Sequence, residues 1–307
     1  MFKKTALVAG IGLALSVTAQ ADYRWELGGD YTYGEINADR KNAIAPARNQ
    51  SKDIDENIGQ LSGTWYFENV DTSKGPLNEA AFLDHASNIT VFATDGQVDL
   101  NSLDDRLQDQ DGQTYGFDSR YVAEGPGWKL SGWLGELGYE YRDLSSSIDI
   151  YHAAIGKYLT QNTTLVVNYD RIDVSAGGDT NGYSADLEHF FAFSNGGLKV
   201  NASVGKVVVS DADDVDQYGL GGTWYLSNNL GFGADYQNTQ RNGFAVNSWA
   251  VNANWFITEA FAVDLSYGQE LFDDIDLPLN ADDGRYVGAG KLELEKDVAR
   301  LGAKFRF

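Results

Sequence analysis

Cysteine is absent from this 307-residue sequence, and it contains four prolines and a single methionine. The absence of cysteine excludes a disulfide scaffold, a cysteine-ligated zinc or iron–sulfur site and a thiol nucleophile. Bases are also scarce, with 23 Lys and Arg against 45 Asp and Glu and a formal net charge of −22. Because contact with phosphates requires a basic surface, this balance argues against nucleic acid as a partner.

Long apolar runs are confined to the N-terminus. Lys3 and Lys4 precede an uncharged apolar run over Thr5–Ala19, and Ala19 and Ala21 form a small-x-small cleavage site. This pattern is typical of a secretory signal peptide, and the run is too short for a membrane-spanning helix. We predict a cleaved signal peptide over residues 1–21 and a single domain over residues 22–307. Cleavage removes two lysines and takes the charge to −24. The mature chain is then either a soluble exported protein or a membrane β-barrel.

Aromatic residues are abundant at 13%, and there are 34 glycines. Apolar residues recur at every second position in Gln217–Trp224, Trp249–Trp255, Phe261–Tyr267 and Arg300–Phe307. Side chains two positions apart share one face of a β-strand, so each segment has one apolar face and one polar or small face. The sequence therefore predicts an all-β fold built from about ten-residue strands.

We count about 14 such segments, and counts of 12 or 16 remain open. They are residues 23–34, 57–68, 88–95, 113–123, 128–142, 148–159, 163–173, 182–191, 198–209, 216–226, 230–238, 245–256, 260–269 and 291–307. Short turns alternate with longer acidic loops, which is typical of an antiparallel up-and-down transmembrane barrel. A soluble sandwich that buries the apolar rows is the alternative, but the aromatic residues at strand ends favour a membrane girdle. One segment breaks the alternation. Its apolar residue Leu134 lies at an even position and Leu137 at an odd position, so the two would face opposite sides of one regular strand. This predicts a bulge or an exit from the bilayer near Gly135.

The closing strand Arg300–Phe307 (RLGAKFRF) resembles the C-terminal strand of Gram-negative outer-membrane proteins, and Gly75–Ser87 (GPLNEAAFLDHAS) resembles the general bacterial porins. The resemblance implies an outer-membrane porin, with Phe305 and Phe307 forming the signal read by the barrel assembly machinery. The predicted third loop, Asp143–Ser147, is too short to fold into the pore as in the trimeric general porins. Their strand number of 16 and their constriction residues therefore do not carry over, and a homo-oligomer is left open.

Charged residues on the polar strand faces are the candidate pore lining. A charge facing lipid near the bilayer midplane costs about 2–4 kcal/mol, so these side chains are expected to face the lumen. They are Arg24, Glu26, Asp30, Asp118, Lys199, Asp235, Asp264, Arg300, Lys304 and Arg306.

Other chemistries have weaker support. The acidic runs Asp104–Asp111, Asp211–Asp216 and Asp273–Asp276 could bind Ca²⁺ loosely but lack an EF-hand order, so solvated outer loops are the better interpretation. His152 and His189 are candidate bases of a hydrolase, yet no nucleophile motif accompanies them. His85 lies in a connection and is expected at the surface. No metal site, cofactor site or catalytic residue is predicted.

These observations predict a non-enzymatic outer-membrane channel, embedded in lipid, for passive diffusion of ions and small hydrophilic solutes. Charge at an acidic mouth predicts a modest cation preference. The alternatives are a non-conducting structural or adhesive barrel, favoured if residues 35–56 form an inward plug, and a membrane-embedded hydrolase.

Overall fold

The computed structural model describes residues 22–307 except 43–49, 100–109, 124–130, 176, 211–212, 274 and 281–285. The predicted signal peptide, with Ala19 and Ala21, therefore lies outside the described residues. No helix in the described part of the chain is long and apolar enough to cross a membrane.

Fifteen strand segments account for most of the described chain. They are β1 Tyr23–Asn42, β2 Gln50–Val70, β3 Asn88–Asp99, β4 Gln110–Ala123, β5 Trp133–Asp143, β6 Ser147–Thr160, β7 Thr163–Val174, β8 Asp179–Phe193, β9 Gly196–Val209, β10 Val215–Ser227, β11 Leu230–Arg241, β12 Phe244–Thr258, β13 Phe261–Phe272, β14 Ile275–Asn280 and β15 Tyr286–Arg306.

Each of β1 to β12 pairs antiparallel with the next strand along the chain, and β1 pairs with β15 to close the sheet. β13 and β14 pair with successive parts of β15, with Leu271 opposite Glu295 and Ile275 opposite Leu292. These two segments occupy one position, so the structure is a closed barrel with 14 strand positions. The predicted all-β up-and-down barrel of about 14 strands is confirmed, and the pairing of β1 with β15 closes the ring.

The apolar rows face outward. Leu61, Leu137 and Leu220 are 64%, 62% and 64% exposed although each lies at the middle of a strand. Such rows around a whole sheet would make an apolar patch far above the few hundred Å² usual for a monomer in water. A sandwich that buries these rows is therefore wrong, and the exterior is suited to lipid.

Two girdles of aromatic residues border this apolar exterior. Trp25, Trp65, Trp133, Trp224 and Trp255 lie near the rim where β1 begins and β15 ends, which we call the terminal rim. At the opposite rim, which we call the loop rim, outward tyrosines donate hydrogen bonds to the neighbouring strand. These donors are Tyr139 to Asp149 at 2.7 Å, Tyr169 to Asn181 at 2.8 Å, Tyr236 to Asn247 at 2.8 Å and Tyr267 to Asp297 at 2.5 Å. Amphipathic rings at both edges are typical of membrane–water interfaces.

The expected bulge near Gly135 is wrong. The register of β5 runs without a shift from Trp133 to Asp143 along both neighbouring strands. Leu137 faces outward, whereas Leu134 is only 2% exposed and packs inside the barrel. The alternation changes because Leu134 contacts an interior cluster rather than lipid. Trp128 and Leu130, the other apolar residues at even positions of this segment, lie outside the described residues.

Candidate lumen and its rim plug

The interior of the barrel is filled at the terminal rim by the connection between β2 and β3. This connection, residues 71–87, contains 3₁₀ turns over Thr72–Lys74 and Leu77–Glu79 and the helix α1 over Ala80–Leu83. We call residues 71–87 the rim plug. The other described connections at this rim are two-residue turns, such as residues 228–229 between β10 and β11.

Local capping starts the rim plug. The Asp71 side chain accepts a hydrogen bond from Ser73 N at 2.8 Å and caps the first 3₁₀ turn. Hydrogen bonds from the side chain and backbone of Ser73 lower the pKa of the Asp71 carboxyl. Ionised Asp71 is the better acceptor, so the cap is in place at neutral pH.

Apolar contacts hold the rim plug against the barrel wall. Phe82 and Leu83 belong to a buried cluster with residues of β4 to β8 and β10, and Leu77 packs with Phe256 and Ala262. Tyr158 Oη also donates to the carbonyl of Phe82 at 3.0 Å. In a 14-strand ring, the wall opposite β2 and β3 lies near β9 and β10, so the rim plug reaches across the lumen.

A buried charge fixes the tip of the rim plug. Glu79 is 3% exposed, and its carboxylate lies 3.1 Å from Lys199 Nζ. The same ammonium lies 3.2 Å from Glu188, while Tyr225 Oη donates to Glu79 at 2.5 Å. A buried carboxylate requires such partners because desolvation of an unpaired charge is costly. The sequence interpretation did not identify Glu79, Glu188 or Tyr225 as site residues.

Arg306 ties the rim plug to the end of the chain. Its guanidinium donates to Glu26 at 2.7 Å and to the carbonyl of Leu77 at 2.7 Å. It also lies 4.4 Å from the ring of Tyr23 and 4.5 Å from the ring of Phe256, where cation–π attraction adds to the hydrogen bonds. The last strand and the rim plug are therefore joined by one side chain.

Nine of the ten predicted lining residues lie on the strand face opposite the outward apolar rows. They are Glu26, Asp30, Asp118, Lys199, Asp235, Asp264, Arg300, Lys304 and Arg306. Arg24 instead lies at the terminal rim, where it donates to the carbonyls of Tyr66 at 3.1 Å and Phe67 at 2.7 Å. The structure brings Glu26 to Arg306 and Asp30 to Arg300, at 2.7 Å and 2.9 Å.

Except for Arg24 and Arg241, which lie near the ends of their strands, every base at an inward strand position whose side chain is described has a carboxylate within 4.0 Å. The pairs are Arg120 with Glu136, Arg142 with Glu140, His152 with Asp170, Lys199 with Glu79 and Glu188, Lys296 with Glu56, Arg300 with Asp30, and Lys304 and Arg306 with Glu26. Several inward acids have no basic partner among the described residues. They are Asp118, Asp186, Asp235, Asp264 and Glu270.

Three of these remaining acids accept hydrogen bonds from amide side chains. Asn252 donates to Asp235 at 3.2 Å, and Asn254 and Asn168 donate to Asp264 and Asp186. An amide satisfies a carboxylate without cancelling its charge. The described lumen therefore carries a surplus of negative charge.

The three histidines lie in different environments. His152 Nδ1 lies 2.7 Å from Asp170 and its Nε2 lies 3.7 Å from Glu136. His189 Nδ1 lies 2.7 Å from Thr163 Oγ1, and His85 Nε2 lies 3.0 Å from the carbonyl oxygen of Gln161. No group of three metal-ligating side chains occurs within the described ranges. Much of the acidic runs, including residues 104–109, 211–212 and 274, lies outside those ranges.

No protein-family model and no curated protein matches this chain. Among solved structures, it is similar to the Acinetobacter baumannii outer-membrane protein Omp33, at 22% identity and a TM-score of 0.57, over 94% of this chain and 100% of that chain. It is also similar to the Pseudomonas putida toluene transporter TodX, at 10% identity and a TM-score of 0.51, over 94% of this chain and 91% of that chain. A mutant of the monoaromatic hydrocarbon channel TodX gives 10% identity and a TM-score of 0.56, again over 94% of this chain and 91% of that chain. These likenesses show the fold, which is that of Gram-negative outer-membrane β-barrels.

Proposed function

We propose that this protein is an outer-membrane channel for passive diffusion of ions and small hydrophilic solutes, with a modest preference for cations. The observation that carries the proposal is the negative surplus on the inward strand faces. The likeness to TodX, described as a hydrocarbon channel, supports transport in general. The polar and charged inward positions favour hydrophilic rather than hydrocarbon solutes.

Charge inside a pore sets ion preference because cations accumulate near fixed acids. Most described inward bases, all but Arg24 and Arg241 near their strand ends, are already paired with carboxylates, so they offer little net attraction to anions. The screening length is about 8 Å at physiological salt and about 3 Å at 1 M. The preference should therefore be largest in dilute salt and decrease as salt rises.

The test is planar-bilayer recording of folded protein in a potassium chloride gradient. We expect a conductance above the leak of the bilayer and a reversal potential with the sign that a cation-selective pore gives. The variant Asp264→Asn should reduce this potential, whereas Asp297→Asn removes the same charge from the outward face and should leave it unchanged. Absence of conductance would contradict the channel, and anion selectivity at low salt would contradict the cation preference.

A non-conducting barrel is the second candidate, and the rim plug is the observation that favours it. The predicted plug over residues 35–56 is a different segment, since residues 35–42 and 50–56 belong to β1 and β2. Residues 43–49 lie outside the described residues. A wild-type barrel that conducts nothing, together with a conducting variant that lacks the rim plug, would favour this candidate.

We also propose export with cleavage after Ala21 and insertion by the barrel assembly machinery. The N-terminal pattern and the aromatic C-terminus support this proposal. Sequencing the N-terminus of protein purified from outer membranes should give Asp22 first. An N-terminus at Met1 would contradict cleavage.

A further inference from the structure

A polar recess lies in the lumen wall formed by β9 to β13. Its volume is about 430 Å³, which falls in the range of small-molecule pockets. Side chains of Asn201, Ser203, Asp235, Ser248, Ser266 and Glu270 line it. The recess is separate from the ion pairs that hold the rim plug.

Strand register explains why the wall is hollow here. One row across the five strands consists of Ser203, Gly219, Gln237, Ser248 and Glu270. The next row towards the terminal rim consists of Asn201, Gly221, Asp235, Ala250 and Gly268. The first row contains Gly219 and two serines, and the second contains Gly221, Ala250 and Gly268, so little side-chain volume projects into the lumen at these positions.

Two of these glycines are constrained by their neighbours. A Cβ at Gly219 would collide with Ser203 Oγ, and a Cβ at Gly268 would lie 2.8 Å from the carbonyl oxygen of Trp249. Larger residues at these positions would therefore force the wall to move. The small residues shape the recess as well as permitting close packing of the strands.

The lining has a defined chemistry. Hydroxyls of Ser203, Ser248 and Ser266 donate or accept hydrogen bonds, and Asn201 adds an amide. Asp235 and Glu270 add carboxylates from β11 and β13. These two strands are two strand spacings apart, or about 10 Å. No basic side chain lines the recess within the described residues.

The nearest bases are bound to other acids. Lys296, opposite Glu270 in register, lies 2.7 Å from Glu56. Arg300 lies 2.9 Å from Asp30, and Lys199 bridges Glu79 and Glu188. The carboxylates of Asp235 and Glu270 therefore remain available to an incoming cation.

The recess lies on the loop-rim side of the rim plug. β11 runs from its turn at residues 228–229 on the terminal rim, so Asp235 and Gln237 lie beyond the level of the rim plug. Glu79 contacts Lys199, one row nearer the terminal rim than Asn201. Occupying the recess does not require displacement of the rim plug.

We propose that this recess binds small polyhydroxylated cations, with an amino sugar as the model ligand. The ammonium lies between the carboxylates of Asp235 and Glu270, while the serine hydroxyls and Asn201 bind the sugar hydroxyls. This inference rests on the proposed channel function and names a solute class for it. The interactions are hydrogen bonds and charge attraction, and no covalent step is involved.

The test is saturation-transfer NMR on folded barrel in detergent micelles, with glucosamine as the probe and glucose as its uncharged counterpart. Mildly acidic pH keeps the amine protonated. We expect binding of glucosamine to be roughly tenfold tighter than binding of glucose, as one charge-assisted hydrogen bond provides. Asp235→Asn and Glu270→Gln should each remove most of this difference, and the double variant all of it.

Asp118→Asn is the matched control, because it removes a lumen carboxylate from β4, outside the recess. It should keep the preference for glucosamine. Equal binding of the two sugars by the wild-type barrel, or an equal loss in Asp118→Asn and Asp235→Asn, would overturn the proposal. Binding in micelles does not require conduction. A barrel that binds glucosamine but passes no current would therefore refute the proposed channel function and leave the proposed binding site intact.

Discussion

At the scale of single residues, Glu79 combines deep burial with a charge network. Its partners Lys199 and Tyr225 come from β9 and β10, so one carboxylate joins the rim plug to the wall opposite its origin. Glu188 shares the same ammonium at 3.2 Å. Lys199 therefore keeps one carboxylate when the other is removed, which moderates the cost of a substitution at Glu79.

We predict that Glu79→Gln lowers the free energy of unfolding by about 2 kcal/mol, because the amide loses the charge attraction to the partly buried Lys199 ammonium, which then keeps only Glu188. The loss should be smaller when Lys199→Met is already present, as a double-mutant cycle would measure. Urea unfolding in lipid vesicles provides the readout. Glu259→Gln, an exposed turn position at the same rim, is the matched control and should change little. Strict additivity of the two substitutions would contradict direct coupling.

At the scale of elements, the strands were predictable and the rim plug was not. The alternation in Trp249–Trp255 and Phe261–Tyr267 identifies strands because lipid on one side and polar groups on the other impose a period of two. Gly75–Ser87 has no such period, and its resemblance to porins did not indicate its position. The Glu79 contact with Tyr225 spans 146 residues, and no local pattern reports a contact of that range.

The inward faces of the strands were predictable for the same reason. Charged residues such as Asp235 and Asp264 stand opposite apolar rows, so their side of the sheet follows from the alternation. Their partners did not follow, because pairing across strands depends on register. Leu134 shows where prediction from the alternation fails. Its apolar character suggested contact with lipid, whereas the side chain packs inside the barrel.

We predict that replacing residues 71–87 with a short glycine-rich turn increases single-channel conductance several-fold. Tyr66 and Asn88 are paired residues of β2 and β3, so a tight turn can join these strands. The rim plug crosses the lumen, and its removal leaves, among the described residues, the side chains of the wall in the path. Planar-bilayer recording gives the conductance, and heat-dependent gel mobility verifies that the variant is folded. An unchanged conductance in a folded variant would show that the rim plug does not restrict the path.

At the scale of the whole molecule, the barrel is polarised along its axis. Five tryptophans and the rim plug lie at the terminal rim, while hydrogen-bonded tyrosines lie towards the loop rim. Closure joins the two ends of the chain at the terminal rim. The backbone N–H groups of Arg24 and Trp25 donate to the carbonyl of Phe307 at 3.0 Å and 2.8 Å, and Phe307 N donates to Trp25 at 3.0 Å.

We predict that deleting Phe307 lowers the yield of heat-modifiable folded barrel in outer membranes several-fold. The deletion removes three backbone hydrogen bonds of the β1–β15 closure together with an aromatic ring whose centroid lies 5.8 Å from that of Phe305. Until this seam forms, β1 and β15 both present unpaired edges, which favour aggregation over insertion. Phe307→Ala keeps the backbone hydrogen bonds but loses the ring, whereas Phe307→Tyr keeps both. Comparing these two variants separates the effect of barrel closure from the effect of side-chain recognition. If the assembly machinery reads the aromatic ring, Phe307→Ala should fail nearly as badly as the deletion while Phe307→Tyr inserts normally. A deletion variant with the wild-type folded yield would refute a role for Phe307 in both steps.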